Sequence, residues 1–244
     1  VDVDAASRLS THNLAGSVAA GALGAGGAVA YTGLNGQTSA AIEQGNIQAG
    51  SVRVQAHSGD LGAQQPVSRV DAIAGAAGLV GLGAAVAISD LAQKTDALVS
   101  GVVNALGTGG SVQVQASDDS RSEVSASGAA IGAAAVGVGV ATSNRDAAVT
   151  AQLGNGAQLG GFAQVGVQAI HGGGVQAQGL GAAAGLAGAG NAVVVSADDD
   201  SSTSARIGND ARINLLGSGE AGQGVGDGSA LDVAARSDAR VRAT

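Results

Sequence analysis

The chain has 244 residues, 43 of them Gly and still more of them Ala; 45% are apolar, yet Tyr31, Phe162 and Pro66 are the sole Tyr, Phe and Pro, and Cys, Met and Trp are absent. With no thiols, disulfide scaffolds and thiolate metal sites are excluded; with only 12% charged residues and positive mean hydropathy the chain is not a disordered tail, and without a three-residue Gly period it is not collagen. A net charge of 11 − 19 = −8, one lysine (Lys94) and almost no aromatics argue against nucleic-acid binding and against a basic membrane-surface helix.

The first predicted element is a strand, Val1-x-Val3-x-Ala5, whose apolar residues alternate with Asp2 and Asp4. Period-two alternation is the mark of a strand with one buried face. The pattern returns as Val52-x-Val54-x-Ala56, Val112-x-Val114-x-Ala116, Val165-x-Val167-x-Ala169 and Leu231-x-Val233-x-Ala235, at intervals of 51, 60, 53 and 66 residues. A polar patch follows each strand, such as His57-Ser58-Gly59-Asp60 or Ser117-Asp118-Asp119-Ser120. Next comes a long Gly/Ala run, residues 72–88 in the second unit and 129–140 in the third. A polar turn is predicted after the run, at Ser89-Asp90, at residues 142–146 and at residues 197–201. A second alternating strand follows, at residues 38–42, 95–99, 149–153 and 203–207, and a Gly-rich turn closes the unit. In the fourth unit that turn carries an insertion at residues 217–228, placed where an outward loop leaves a stacked core intact.

The Gly/Ala runs read as strands with both faces apolar, so both faces are expected to be buried. Val80, Leu82, Ala84, Val86 and Ile88 line one face; Gly81, Gly83, Ala85 and Ala87 line the other, against a very close neighbour. In a helix each Gly costs roughly 1 kcal/mol relative to Ala, so strand is preferred, with a β array enclosing Gly/Ala-rich helices as the alternative. The expected fold is all-β: an elongated parallel β-solenoid, or β-helix, forming a single repeat array over residues 1–244. The repeats are 1–51, 52–111, 112–164 and 165–230, with a partial fifth at 231–244. The opening residues read as the middle of something, so the chain is expected to be a fragment of a longer one. A repeat of this length makes either two or three coils or one wide coil.

Chemistry is sparse. His12, His57 and His171 lie in polar stretches without ligand spacing and read as solvated turn residues. Asp118-Asp119 and Asp198-Asp199-Asp200 could hold calcium weakly, but neighbours on a strand point to opposite faces, so solvated turns are expected. Gly222-x-Gly224-x-Gly226-Asp227 faintly resembles a calcium nonapeptide and reads as a loop. Gly-x-Gly matches at residues 24–27 and 185–190 are what chance supplies in so glycine-rich a chain. No Gly-x-Ser-x-Gly elbow occurs, and no paired carboxylates with a base can be assembled into a polysaccharide-cleaving groove. No catalytic, cofactor-binding or metal site is predicted, and the chain is not expected to be an enzyme. Residues 72–88 approach transmembrane length without a charge. They lack the aromatic and basic flanks of a span, so no membrane insertion is expected; a glycine-zipper pore is the alternative.

The order Val-x-Val-x-Ala, polar patch, Gly/Ala run, polar turn and Thr-x-Ala-x-Ile-Gly resembles the repeat region of large bacterial filamentous haemagglutinin-like exoproteins. The nearest likeness is to leukotoxin-type filamentous adhesins of the two-partner secretion route. The residues that carry it are Val136-Gly137-Val138-Gly139-Val140-Ala141 leading to Ala151-Gln152-Leu153-Gly154, and Thr203-Ser204-Ala205-Arg206-Ile207-Gly208. The resemblance spans essentially the whole chain. It implies a β-solenoid shaft, secreted or attached to the outer-membrane surface of a Gram-negative bacterium, supporting adhesion or biofilm formation. Its partners would be adjacent repeats of the same polypeptide, with host-cell or bacterial surface ligands bound by other parts of the parent. The family has no catalytic residues to carry over, and its secretion domain is not among these residues. The alternative is a module whose exposed polar ladders bind a glycan, a receptor or ice directly; a polysaccharide-active solenoid enzyme is a more remote one.

Overall fold

The structure, a computed structural model, describes residues 1–59, 67–107, 109–215 and 230–244. Among them the chain is all-β and contains no helix. The first pass contributes β1 (Asp2–Ser7), β2 (Thr11–Ala20), β3 (Leu23–Ile42) and β4 (Asn46–Ala49); the second contributes β5 (Val52–Gly59), β6 (Ser68–Ala77), β7 (Val80–Val99) and β8 (Val102–Ala105). The third is β9 (Ser111–Asp119), β10 (Arg121–Leu153) and β11 (Gln158–Phe162). The fourth is β12 (Gln164–His171), β13 (Gly174–Asp199), β14 (Ser202–Ile207) and β15 (Arg212–Leu215), followed by β16 (Ala230–Ser237) and β17 (Arg240–Ala243).

All the strand pairings among these residues are parallel, and each joins a strand to its counterpart in the next pass. One sheet runs β1-β5-β9-β12-β16, a second β4-β8-β11-β15, and the third contains β2, β3, β6, β7, β10, β13, β14 and β17. Parallel neighbours need a long crossover; here the rest of the pass, through the other two sheets, is that crossover. Each repeat-length pass therefore contributes strands to all three sheets before the chain returns beside its counterpart.

Like sits on like. Val54 lies between Val3 and Val114, and Ala56 between Ala5 and Ala116. Val103 lies between Ile47 and Leu159, with Ile213 beyond. Ala40, Ala97, Ala151 and Ala205 form another row. These inward positions of the three sheets enclose one core, which also holds Phe162.

Beyond that core the third sheet folds into a thin double layer. β2, β6, β10 residues 121–131 and the start of β13 form one layer; β3, β7, β10 residues 134–153 and the rest of β13 form the other. Ala28, Ala30, Ala72, Ala74, Ala85, Ala87, Ala126 and Ala141 are buried between them. Contact is backbone to backbone. A methyl added at Gly139 would lie 2.6 Å from the Leu180 oxygen, and one at Gly83 would overlap the Ala129 oxygen and stand 2.9 Å from its carbonyl carbon. Ordinary stacked sheets lie about 10 Å apart; only hydrogen and methyl side chains permit this closer approach.

Three expectations are corrected. The Gly/Ala runs are strands, as expected, but are not buried on both faces. Gly81, Gly83, Ala85 and Ala87 are buried, whereas Val80 and Leu82 lie on the exposed outside and Val86 and Ile88 are half-buried. A double layer has one interior, and along the row of Gly81 and Gly83 it is too thin for branched side chains, which lie outside; the buried Val70 and Val124 stand nearer the three-sheet core. The second run breaks at Gly78-Leu79, where the chain passes from one layer to the other, and not at its polar end. The polar turns expected at Ser89-Asp90 and residues 142–146 are uninterrupted strand within β7 and β10; the pass from β13 to β14 does break, at residues 200–201. The insertion at 217–228 lies outside the described residues.

Candidate functional site

Where the three-sheet core meets the double layer, the interior becomes polar. The inward face of β5 continues from Val52, Val54 and Ala56 to Ser58, by simple alternation. The stacked position is Ser7, Ser58, Asp118, His171 and Ser237 in successive passes. Across from it lies the inward row Leu34, Leu91, Arg145 and Asp199. In the third and fourth passes these rows place two carboxylates, a guanidinium and an imidazole together inside the protein. Exposure is 0% for Asp118, 2% for Arg145 and 1% for His171.

Arg145 ties the group together. Its Nη2 donates to Asp118 Oδ2, its Nη1 donates to the Gly172 carbonyl at 3.0 Å, and Nη1 stands 3.6 Å from Asp199 Oδ2. His171 sits between the carboxylates, Nδ1 3.5 Å from Asp118 and Nε2 3.8 Å from Asp199. A hydroxyl donates to each carboxylate: Ser120 Oγ to Asp118 and Ser201 Oγ to Asp199, the same Asp-x-Ser spacing used twice, while Asp199 Oδ2 is left without a hydrogen-bond partner. Ser58 Oγ donates to Asp118 at 2.7 Å and shares a 2.6 Å bond with Thr95 Oγ1. Burial alone would push the Asp118 carboxyl up, but His171, the Arg145 charge and the Ser120 and Ser58 hydroxyls together hold it down at about 2.

A hydroxyl chain extends the seam through the double layer. Ser68 and Ser89 are bonded at 2.7 Å, Ser122 donates to Ser89 at 3.0 Å and Ser143 to Ser122 at 2.8 Å. Each link joins one layer to the other, so the seam cross-ties the passes from within.

The residue types are those of hydrolytic chemistry, but their arrangement is not. Neither ring nitrogen of His171 has a hydrogen-bond partner, and Ser58 and Ser120 donate to the Asp118 carboxylate, so no hydroxyl of this cluster is paired with its imidazole. The side chains of all four ionisable groups are at most 4% exposed. An open groove of about 600 Å³ runs outside the corner past Asp119, Arg121, Glu123, Asp238, Arg240 and Arg242. Its charges are mixed, and no aromatic platform lines it.

The sequence-predicted positions are dispersed. His12 is exposed on β2, 3.0 Å from Asp71. His57 is half-buried on β5, its Nδ1 2.8 Å from Ser117 Oγ. Neither lies in a turn. His171 and Asp118 are corrections: both were expected in solvated turns and both are buried in strands. Of the acidic runs, Asp118 and Asp199 point inward while Asp119, Asp198 and Asp200 point out, which is the alternation expected of a strand. Among the described residues no group of three metal-ligating side chains could hold an ion. The Gly222–Asp227 loop lies outside the described residues. The glycines at 24–27 and 185–190 lie within β3 and β13 and open no helix that could cradle a phosphate. Among the described residues no helix is long and apolar enough to cross a membrane. Sequence reasoning missed Arg145 and the Ser68–Ser143 chain; the signal was parity, since each falls on the inward phase of its strand.

No family model, curated protein or solved structure matches the chain.

Proposed function

We propose that the chain is a length of β-solenoid whose work is mechanical: a shaft segment of a secreted or surface-attached bacterial exoprotein of the filamentous haemagglutinin-like kind. It would hold a distal adhesive part away from the cell and so serve adhesion or biofilm formation. The observation that carries this reading is the register: Val3, Val54, Val114, Val167 and Val233 form one continuous parallel ladder. A ladder of this kind buries both edges of every inner strand and can be extended by adding passes. Each pass advances the stack by about 4.8 Å, the spacing of neighbouring strands. Ionisable groups sealed inside the seam serve cohesion between passes, not contact with a ligand.

Pulling the chain by its two ends tests this. A shaft should yield in successive steps, each releasing roughly 190 Å of chain, the contour of a repeat-length pass at up to about 3.6 Å per residue. A single low-force collapse would remove the mechanical reading. Specific capture of a glycan or receptor by this chain alone would replace it with that of a binding module, and hydrolysis of a polysaccharide would replace it with an enzyme.

A further inference from the structure

The outside of the β3/β7/β10/β13 layer is an apolar sheet face with no covering element among the described residues. Its rows, read across the four passes, are Leu23-Val80-Ala134-Gly188, Ala25-Leu82-Val136-Gly190, Gly27-Ala84-Val138-Ala192, Val29-Val86-Val140-Val194 and Tyr31-Ile88-Thr142-Ser196. None of these 20 positions is charged. Val80, Leu82 and Val136 keep 47%, 46% and 43% of their surface although strands flank them on both sides. Their exposure therefore belongs to the face and not to the ends of the stack. The outside of the other layer differs: His12, Arg69, Glu123, Asp71 and Ser125 interrupt it.

We propose that a second copy of this chain seats on this face, layer against layer, so that two stacks associate side by side. Three observations select that occupant. First, area: Leu23 at 81%, Val29 at 69%, Tyr31 at 57% and Val194 at 57% join the three central residues. Together these seven large apolar side chains, three on inner strands and four on the first- and fourth-pass strands, make one contiguous uncharged patch of the kind that marks an interaction surface. Second, pitch: both copies carry ridges at the same strand spacing of about 4.8 Å, so ridges of one meet grooves of the other at every pass. Third, charge: the face is bordered on one side by the row Gly33-Asp90-Asn144-Asp198. A two-fold axis lying in the interface along the stacking direction makes the strands antiparallel across it. That places each acidic border against the uncharged Leu23-Val80 edge of the other copy and keeps like charges apart. The same acidic border, the net charge of −8 and the absence of basic or Trp anchors on the face disfavour a lipid surface.

Sedimentation equilibrium of the full chain tests the proposal and does not depend on the shaft reading, because a non-mechanical protein could still pair in this way. The expected result is a reversible dimer, weakened at least about 100-fold in the double variant Leu82→Lys/Val136→Lys and unchanged in Ile73→Lys on the opposite layer, with circular dichroism unaltered in both variants. The chain has no cysteine, so a single Ala84→Cys in the central row should self-link with a short bis-maleimide, whereas Leu23→Cys should not. A monomer at all concentrations, a dimer indifferent to Leu82→Lys/Val136→Lys, or one lost with Ile73→Lys overturns it. Binding of the monomeric chain to phosphatidylcholine vesicles would also overturn it and assign the face to a bilayer.

Discussion

One methyl group tests the architecture. Gly83 lies in the inner row Gly26-Gly83-Gly137 of the double layer, and Gly83→Ala would set the new carbon 2.9 Å from the Ala129 carbonyl carbon and 3.1 Å from its nitrogen. Carbon contacts relax at about 3.5–4.0 Å, and a gap of 0.5–1 Å forfeits a quarter to a half of each contact it opens. The obstacle is backbone, which cannot rotate aside, so the layers must part along the whole row. Overpacking of this kind costs about 1–3 kcal/mol, and the rigid neighbour places Gly83→Ala near the top of that range. The lower entropy of the unfolded Ala chain returns about 0.4–1 kcal/mol, leaving a net loss of about 2 kcal/mol. Gly16→Ala is the matched control, because nothing lies within 4 Å of its added carbon; there the entropic gain stands alone. At roughly 2–4 °C per kcal/mol for a chain this long, thermal melting should show Tm lowered by roughly 4–8 °C for Gly83→Ala and raised by a degree or two for Gly16→Ala. Equal effects from the two substitutions would refute the close approach of the layers.

Three further outcomes are expected. Arg145→Ala leaves Asp118 and Asp199 buried without their guanidinium and should cost about 3–5 kcal/mol in urea denaturation; a loss under about 1 kcal/mol would show the seam open to water. The Asp118 carboxyl is held at about 2, below its ordinary 3.8, so its stabilising contribution is complete above pH 4 and disappears as pH falls towards 2. The span corresponds to about 2.5 kcal/mol, and Asp118→Asn should flatten that part of the stability–pH curve. Val54→Ala empties a fully buried place between Val3 and Val114 and should cost about 2 kcal/mol, more than Val3→Ala, whose site is half-buried; the same urea series ranks the two.

Strand positions and their pairing were readable because the Val-x-Val-x-Ala motif carries both period and phase. Val54 identifies the inward face, and the next copy of the motif identifies its neighbour. The same phase carried forward places Ser58, Asp118 and His171 inside, yet their polarity points to a turn when each segment is read alone. Polarity misleads here because Asp118 is held by Ser58 of one pass and Arg145 of its own, and His171 sits between carboxylates of two passes, a property of stacked passes that no single repeat contains. The orientation of the Gly/Ala runs was illegible for a related reason. Apolarity identifies Val80 and Leu82 as interior, whereas the actual constraint is thickness: between backbones this close, volume excludes them and Gly81 and Gly83 remain.

Thickness and charge together make the register unique. A slip of one residue turns every inward side chain outward and is forbidden by the core. A slip of two preserves that phase, and the repetitive Val and Ala rows of the first sheet would tolerate it, since Val54 and Ala56 differ by two methyl groups. The seam does not tolerate it. Moving β9 two residues back along β5 would set Asp118 beside Ala56 and strip it of the Ser58 hydroxyl, while Arg145 on β10 would lose its carboxylate partner. An unpaired buried charge costs several kcal/mol, more than the few contacts a slipped apolar row gives up. The glycine rows impose the same condition from the other side, because a two-residue shift of β7 brings Ala85 to the place where even the methyl of an alanine at Gly83 would overlap the Ala129 oxygen. Small residues alone would allow a sliding stack; small residues with one sealed ionic cluster allow a single alignment.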